Sequence, residues 1–149
     1  MQENFPILIA EDDETDAAIL QRAFREVGFN NPFHISRDGE DILKYLRGHA
    51  PYEDRHRHLF PRILILDLNM PRMDGFEVLA WLKEHIECNV IPRIVLSASR
   101  EEKDIQRAYQ LGVNSYIYKP PTFEGLVNRL ELVLSYWDMC EKPALPPKC

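Results

Sequence analysis

Short apolar runs alternate with amphipathic segments along this chain, and the alternation predicts parallel β-strands joined by crossover α-helices. The run Ile63-Leu64-Ile65-Leu66 contains no polar residue, so we expect this strand to be covered on both faces inside a parallel sheet. The strand candidates are Pro6 to Ala10, Phe33 to Ser36, Ile63 to Asp67, Arg93 to Ser97 and Ser115 to Tyr118. This pattern predicts a doubly wound α/β sheet, whose ligands bind beyond the carboxyl ends of the strands.

Apolar residues at helical spacing lie between these runs and predict five helices. The first helix follows Glu14, the second covers Asp41 to Leu46, and the fourth stops at Gly112, since glycine commonly ends helices. The apolar positions are Ile19, Ala23 and Val27 in the first helix; Val78, Leu79 and Leu82 in the third; Ile105, Ala108 and Leu111 in the fourth; and Leu126, Leu130, Val133, Leu134 and Trp137 in the fifth.

The length of the chain bounds its organisation. A chain of 149 residues, 45% of them hydrophobic, suits one domain with a single core. We expect the domain to occupy residues 1–138 and a proline-containing tail to occupy residues 139–149. A polar insertion from Arg47 to Pro61 precedes the third strand, and we expect both the insertion and the tail to be peripheral to the core.

Charge and cysteine content argue against several classes of protein. The chain has 18 Lys and Arg against 24 Asp and Glu, and its net charge of -6 disfavours a nucleic-acid partner. No run approaches the roughly 18 apolar residues of a membrane span, and Met1 to Ala10 lacks the features of a signal peptide. We therefore expect a cytoplasmic protein with no membrane partner. Cys88, Cys140 and Cys149 are odd in number and lack metal-ligand spacing, which predicts neither a disulfide framework nor a zinc site.

Polar side chains follow the predicted strands in a way that a core does not require. They are Glu11, Asp12 and Asp13 after the first strand, Asp67 and Ser97 at the ends of the third and fourth, and Lys119 after the fifth. Carboxylates gathered at one edge of the sheet repel and raise each other's pKa unless a cation compensates. Oxygen ligands without nearby His or Cys suit Mg²⁺, which commonly recruits a phosphate oxygen.

Four separated motifs follow one another along the chain: Ile7-Leu8-Ile9-Ala10-Glu11-Asp12-Asp13, Leu66-Asp67-Leu68-Asn69-Met70-Pro71 with Asp74-Gly75, Ser97-Ala98, and Lys119-Pro120. Together they resemble a two-component response-regulator receiver domain, and the resemblance covers Ile7 to Trp137. It implies a flavodoxin-like (βα)5 sandwich with parallel strand order 2-1-3-4-5. It also implies a phosphoacceptor signalling protein rather than an enzyme, one that assists its own phosphorylation and slow autodephosphorylation.

The resemblance assigns a phosphoacceptor and a metal site. Asp67 would attack the phosphoryl group of a phosphohistidine on a sensor histidine kinase and become an aspartyl phosphate. Mg²⁺ would be bound by Asp12, by Asp67, by the backbone carbonyl of Asn69 and, through a water molecule, by Glu11. Asp13 is interpreted as a residue of the helix start with at most an electrostatic role.

The resemblance also assigns residues that sense the phosphoryl group. Lys119 would pair with Asp67 before the reaction and with a phosphoryl oxygen afterwards, while the Ser97 hydroxyl would donate to another oxygen. Ser99 is an alternative hydroxyl two residues later. Tyr116 and Ser97 would be switch residues, with Tyr116 rotating inward as Ser97 moves toward the phosphate. The family usually has a cis bond between the lysine and the following proline, here Pro120.

The end of the domain bears on output and partners. About a dozen residues follow Trp137, too few for a helix-turn-helix fold, so we expect output through contact with an unknown downstream protein. The insertion, the Tyr136-Trp137 pair and the tail resemble small stand-alone receivers paired with cyanobacterial and bacterial phytochrome histidine kinases. Leu132, Tyr136 and Met139 form a second apolar stripe that either packs under the tail or, as the resembling subgroup favours, forms a symmetric homodimer.

Two other functions would use the same site. A Mg²⁺-dependent aspartate-nucleophile phosphatase would also use Asp67, but its Asp-x-Asp pattern is replaced here by Asp67-Leu68-Asn69, which offers no second acid for a leaving group. The other alternative is an adaptor that keeps the receiver fold without accepting phosphate. Occupation of all five active positions disfavours that adaptor.

Overall fold

The computed structural model describes residues 5–144 and 148–149. Within these residues five parallel strands form a sheet in the order β2-β1-β3-β4-β5. The strands are β1 (Ile7–Ala10), β2 (Phe33–Ser36), β3 (Ile63–Leu66), β4 (Arg93–Ser97) and β5 (Ser115–Tyr118). The helices are α1 (Glu14–Val27), α2 (Gly39–Arg47), α3 (Gly75–Glu84), α4 (Glu102–Gln110) and α5 (Phe123–Met139). The predicted flavodoxin-like (βα)5 fold and its strand order are confirmed.

Strand β3 lies at the centre of the sheet, as its uninterrupted apolar run predicts, and all of its residues are buried. Side chains alternate between the two faces of the sheet, as the period of a strand requires. On one face Leu64 belongs to a core cluster with Ile42 of α2 and Leu79 of α3. On the other face Ile65 belongs to a cluster with Phe24 of α1 and the buried side of α5. Full burial of each such side chain stabilises the fold by about 1.5–3 kcal/mol.

The first predicted helix is present as α1, and its larger apolar side chains form the buried face. Leu20 and Phe24 are buried together with Ala17 and Ala23, whereas Ile19 is 38% exposed. Because successive residues turn by about 100° around a helix, Ile19 and Leu20 cannot both be central to the same face. The larger pair at i and i+4, Leu20 and Phe24, occupies the core, and Ile19 is left partly exposed.

The insertion before β3 is anchored to the core by two of its side chains. Tyr52 is buried, and its hydroxyl lies 2.9 and 3.0 Å from the two carboxylate oxygens of Asp41 on α2. The Arg55 guanidinium donates to the backbone carbonyls of Tyr45 at 2.6 Å and Leu46 at 3.1 Å, which satisfies carbonyls left open at the end of α2. The expectation that the insertion is peripheral was therefore wrong for its inner residues.

The cysteines also differ from the expectation. Cys88 and Cys149 form a disulfide with a Cα–Cα distance of 5.8 Å, and Cys140 is free. The backbone N–H of Cys149 donates to the Leu46 carbonyl at 2.9 Å, and its side chain packs against a core cluster. The expectation of unpaired thiols was wrong for this pair, because two cysteines separated by 61 residues leave no local pattern in the sequence.

The tail begins by crossing the end of the sheet where the strands start. The Lys142 ammonium lies 4.5 Å from the centre of the Phe5 ring, just before β1. Arg62, just before β3, donates to the Lys142 carbonyl at 3.3 Å. Residues 1–4 of the predicted domain and 145–147 of the predicted tail lie outside the described residues. No helix in the part of the chain that the structure describes is long and apolar enough to cross a membrane.

The contacts of Asp41 generate a prediction about stability and pH. Burial acts to raise the pKa of Asp41, but interactions with His34, Ser36 and Tyr52 outweigh it and lower the pKa below its ordinary value. A lowered pKa in the folded state stabilises the protein above the unfolded pKa, and this contribution is lost as pH falls through the folded pKa. We expect Asp41→Asn to lower the free energy of unfolding by about 1–3 kcal/mol at pH 7.

Urea denaturation at several pH values would measure this effect. The difference between the variant and the wild type should begin to shrink as pH falls below about 4, the ordinary pKa of an aspartate, and should vanish once pH falls through the lowered pKa of Asp41 in the folded state. Glu53→Gln, which removes an exposed carboxylate from the same insertion, should leave stability nearly unchanged. An Asp41→Asn effect that is independent of pH would contradict the role of the ionised carboxylate.

Candidate functional site

The backbone places the candidate residues at the edge of the sheet where the strands end. In the β1–β3 pairing Ala10 lies opposite Leu66, so the two acids that follow, Glu11 and Asp67, leave the sheet at the same level. The Asp67 N–H donates to the Ala10 carbonyl at 3.1 Å. This edge is the usual ligand-binding edge of a doubly wound sheet.

Three carboxylates converge at this edge. Glu11, Asp12 and Asp67 each offer a carboxylate oxygen, and the three oxygens lie within 4.8 Å of one another. The side chain of Glu11 is only 2% exposed and that of Asp67 is 13% exposed, whereas Asp12 faces solvent. The sequence-predicted metal ligands with side-chain donors are thus brought together in one partly open pocket.

Lys119 supplies the positive charge that faces these acids. Its Nζ lies 2.9 Å from Glu11 Oε2, and 3.9 Å from both Asp67 Oδ2 and Asp16 Oδ2. The shortest contact is therefore with Glu11 rather than with Asp67, the partner expected from the resemblance. Asp16 was not singled out from the sequence, although its place in the first turn of α1, four residues after Asp12, could have indicated it.

Burial and charge shift the pKa values of this cluster. Burial raises the pKa of Glu11 and of Asp67 above their ordinary values, even though Lys119 acts in the opposite direction on both. Burial alone would lower the pKa of Lys119, but Glu11, Asp67 and Asp16 outweigh it and raise the pKa. Lys119 is therefore a stable ammonium at neutral pH, and it faces more carboxylates than it can neutralise.

The donor set fits a divalent metal ion with a preference for oxygen. The cluster offers carboxylates without histidine or cysteine, which is the chemistry that Mg²⁺ and similar hard cations prefer. Carboxylates with raised pKa values gain most from a cation that favours their ionised form. The backbone N–H of Asn69 donates to Asp67 Oδ1 at 3.3 Å, which places that part of the backbone beside the pocket.

Gly75 packs so closely against the segment after Asp67 that a larger residue at this position would displace the backbone. The N–H of Gly75 donates to the Leu68 carbonyl at 3.0 Å. A Cβ at position 75 would lie 2.5 Å from the Asp67 carbonyl oxygen and 2.8 Å from the Leu68 Cα, which are both backbone atoms. The Asp74 side chain accepts from the Glu77 N–H and caps α3. The Asp74-Gly75 pair therefore fixes the start of α3 against the backbone of Asp67.

Hydrogen bonds connect this edge to α4 and β5. Ser97 is buried, and its Oγ accepts from the Ser99 N–H at 3.1 Å. The Tyr116 hydroxyl donates to the Ser99 carbonyl at 2.8 Å, and the Ser99 hydroxyl donates to Asp104 of α4 at 2.8 Å. The Ser99 hydroxyl is thus engaged by α4, while Ser97 and Tyr116 are linked through one loop.

Comparison with known proteins agrees with this geometry. The family model described as "Response regulator receiver domain" matches residues 7–131. The chain belongs to this receiver family. The receiver is 40% identical over 136 residues to the probable methanogenesis regulatory protein FilR2 of Methanothrix harundinacea, with 91% of this chain and 85% of FilR2 covered. It is 33% identical over 131 residues to response regulator Rcp1 of Synechocystis, with 88% of this chain and 87% of Rcp1 covered.

Solved structures of phytochrome response regulators share the fold of this receiver. The phosphorylated cyanobacterial phytochrome response regulator RcpA superposes with a TM-score of 0.86 at 31% identity, covering 95% of this chain and 100% of RcpA. The Mn²⁺-bound form of Rcp1 superposes with a TM-score of 0.83 at 31% identity, covering 94% of this chain and 99% of that structure. The receiver is thus closely related to these phytochrome response regulators along nearly all of its length.

One expectation about Lys119 is not met. The cis peptide bond within the described ranges joins Ala50 and Pro51, so the bond between Lys119 and Pro120 is not cis. Lys119 nevertheless reaches the acidic cluster, because its N–H donates to the Ser97 carbonyl at 2.7 Å and anchors the end of β5 beside β4.

The acidic cluster predicts that Mg²⁺ stabilises the receiver. At a Mg²⁺ concentration about tenfold above Kd, we expect the Tm to rise by about 3–6 °C, because only the folded state assembles the three carboxylates. Asp12→Asn and Asp67→Asn should each abolish most of that shift. Asp13→Asn is a matched control, since asparagine also caps helices and Asp13 lies outside the three-carboxylate cluster. An equal Mg²⁺ shift in all three variants, measured by differential scanning fluorimetry, would contradict the assignment.

Proposed function

We propose that this receiver accepts a phosphoryl group on Asp67 from a sensor histidine kinase and signals by phosphorylation-dependent contact with another protein. The observation that carries the proposal is the position of Asp67 within a largely buried acidic cluster that also contains Lys119. The arrangement combines the carboxylate nucleophile of Asp67 with the Lys119 ammonium, which Glu11 and Asp16 hold nearby. The likeness to the phosphorylated RcpA structure supports the same chemistry here.

The reaction forms one bond and breaks another. A carboxylate oxygen of Asp67 attacks the phosphorus of a phosphohistidine, the phosphorus–nitrogen bond breaks, and the imidazole leaves with a proton from solvent. The Lys119 ammonium, 3.9 Å from Asp67, moves from Glu11 toward a phosphoryl oxygen as negative charge arrives. The Ser97 hydroxyl donates to another phosphoryl oxygen.

The proposed metal site uses the residues predicted from the sequence. Asp12 and Asp67 bind Mg²⁺ directly, the Asn69 backbone carbonyl completes the protein ligands, and Glu11 acts through a water molecule. When bound, Mg²⁺ supplies positive charge that offsets the carboxylates and the incoming phosphoryl oxygens. Glu11 suits an indirect role, because Lys119 already occupies one of its oxygens at 2.9 Å.

The switch proposal follows the hydrogen bonds that leave the site. When Ser97 moves toward the phosphoryl group, the loop containing Ser99 moves with it, since the Ser99 N–H donates to Ser97 Oγ. Tyr116 is half-buried and bonded to the Ser99 carbonyl, so it follows the loop inward and reshapes the surface between α4 and β5. A bias of about 1–3 kcal/mol is enough to change the affinity for a downstream protein.

Turnover as a phosphatase is the weaker alternative. The residue two positions after Asp67 is Asn69, which cannot donate a proton to a leaving group as a second aspartate would. The protein therefore assists its own phosphorylation and its slow autodephosphorylation without acting as an enzyme on other substrates. A non-phosphorylated adaptor is also disfavoured, because the acids and Lys119 are brought together.

We assign the sensor to the phytochrome class and the protein to the cytoplasm. The extended likeness to Rcp1 and RcpA, over most of this chain and of both relatives, supports a phytochrome histidine kinase as phosphoryl donor. FilR2, at 40% identity, is named for methanogenesis regulation, so the class of sensor needs its own test.

A homodimer through α5 completes the proposal. Leu132, Tyr136 and Met139 are 73%, 53% and 76% exposed and form the second apolar stripe of the helix. The stripe keeps these exposures beside the described residues of the tail: Cys140 interacts with the Tyr136 hydroxyl, and Lys142 contacts Phe5 and Arg62 at the start of the sheet. A symmetric contact between two copies of the stripe would bury it.

Phosphorylation by acetyl phosphate tests the central proposal. Intact-mass measurement should show a Mg²⁺-dependent phosphoryl adduct on the wild type and none on Asp67→Asn. Asp74→Asn, which keeps a helix-capping side chain in the same loop, should retain the adduct. An adduct on Asp67→Asn would overturn the assignment, and steady hydrolysis of phosphate esters would support the phosphatase instead.

The same mass measurement identifies the class of donor. A phosphorylated phytochrome histidine kinase should transfer its phosphoryl group faster than an unrelated phosphorylated histidine kinase at equal concentration. Equal rates, or a slower rate from the phytochrome, would contradict the phytochrome assignment while leaving acceptance on Asp67 intact.

Association in solution tests the α5 interface. We expect sedimentation to show a dimer for the wild type and a monomer for Leu132→Glu, because a carboxylate buried between two copies is costly. Ile86→Glu is a matched control, since Ile86 is 83% exposed and lies away from α5. A wild-type monomer across the concentration range, or a dimer that survives Leu132→Glu, would count against this interface.

A further inference from the structure

The disulfide partner in the core, Cys88, is held in a rigid turn. Cys88 is fully buried, and its N–H donates to the His85 carbonyl at 3.0 Å. The neighbouring Arg93 is buried and donates to the Asn89 carbonyl, the Asn89 side chain, the Ile91 carbonyl and the Gly112 carbonyl. This network fixes the turn between α3 and β4 whether or not Cys88 is bonded to another sulfur.

The other partner, Cys149, lies in a more open place. It is partly buried rather than fully buried, and its N–H donates to the Leu46 carbonyl near the end of α2. The Leu46 carbonyl also accepts from Arg55 of the insertion, so α2 keeps a partner there if Cys149 leaves. The Cβ of Lys148 lies 3.7 Å from the position that a Cβ on Gly48 would take. The segment 148–149 thus rests on the end of α2.

The two sulfurs differ in access, and this difference determines how the bond would exchange. A thiolate attacks a disulfide at the sulfur that it can reach, and the other sulfur departs as a thiolate. Here Cys149 is the more exposed residue of the pair, which favours attack at its sulfur, and the fully buried Cys88 is the resolving cysteine. Burial also protects Cys88 from forming bonds with other thiols.

We infer that Cys88 and Cys149 form a reversible disulfide, opened and closed by exchange at Cys149, that fastens segment 148–149 to the end of α2. In the closing direction the Cys149 thiolate attacks a protein or small-molecule disulfide and releases one thiol. The Cys88 thiolate then attacks Cys149 Sγ and releases the second thiol. One external disulfide is reduced to two thiols as the two protein thiols become one disulfide, and the two protons of the protein thiols pass through solvent to the two released thiolates.

The location of this bond separates it from the proposed phosphoryl chemistry. Phe5 and Arg62, which contact the tail, precede strands, whereas Asp67 follows one, so the tail and the acidic cluster occupy opposite ends of the sheet. The inference does not depend on the proposed phosphorylation. Disulfides in reducing compartments are usually transient or redox-sensing, and the cytoplasmic assignment favours reversibility.

Counting alkylated thiols tests the inference on the full chain. The protein is equilibrated with mixtures of oxidised and reduced glutathione, and the exchange is quenched in acid. It is then denatured and alkylated, and its intact mass is measured. Because the chain has 3 cysteines, the oxidised wild type should carry one alkyl group, on Cys140, and the reduced wild type three. Cys140→Ser should change from two groups to none as the mixture becomes oxidising, and Cys149→Ser should keep two throughout. Cys88→Ser should lose the alkyl group on Cys149 to a bound glutathione in oxidising mixtures, because it has no resolving thiol.

The rate of opening distinguishes a reversible bond from a buried structural one. The rate at which dithiothreitol opens the native disulfide should rise in proportion to its concentration. Hydrogen exchange of peptides covering segment 148–149 should be faster after reduction, while acetyl-phosphate labelling of Asp67 changes less than twofold. A rate capped by global unfolding would overturn the inference. So would three alkyl groups under all glutathione mixtures, or oxidised Cys140→Ser linked only between chains.

Discussion

The site depends on an excess of negative charge: the single ammonium of Lys119 faces several carboxylates at the edge of the sheet where the strands end. Lys119 contacts Glu11 at 2.9 Å and has Asp67 and Asp16 each at 3.9 Å, while burial raises the pKa of both Glu11 and Asp67. The folded protein tolerates this excess of negative charge because the pocket is partly open and can take a hard cation. In the proposed function the same imbalance would make the site responsive, since an incoming phosphoryl group would compete with Glu11 for the only ammonium that contacts the cluster in the described residues.

The fold maintains this balance through its backbone. Equal strand lengths bring Glu11 and Asp67 to the same level, and the Lys119 N–H is fixed to the carbonyl of β4. Gly75 allows the start of α3 to pack directly on the backbone of Asp67, where any side chain would collide. The insertion and Cys149 are anchored around the C-terminal end of α2, so changes there need not disturb the Asp67 carboxylate.

Much of the fold could be predicted from the chain, because its elements have clear local patterns. The buried run of β3 and the polar residues after each strand were enough to place the sheet and its functional edge. The buried face of α1 could not be predicted, because two overlapping apolar sets compete on this helix and only packing decides between them. The roles of Tyr52, Arg55 and Cys149 were missed because they arise from contacts between distant segments that have no periodicity. The bond from Lys119 to Glu11 depends on side-chain reach within the folded pocket, which motif spacing does not specify.

The most direct measurement of this account is a crystal structure of the receiver with Mg²⁺ and trifluoroberyllate, a stable mimic of the phosphoryl group. We expect the mimic to bond to Asp67, Lys119 to leave Glu11 and contact a fluorine atom, and Tyr116 to turn inward with the loop of Ser99. A mimic bound elsewhere, or Lys119 still paired with Glu11 beside a modified Asp67, would contradict the central claim.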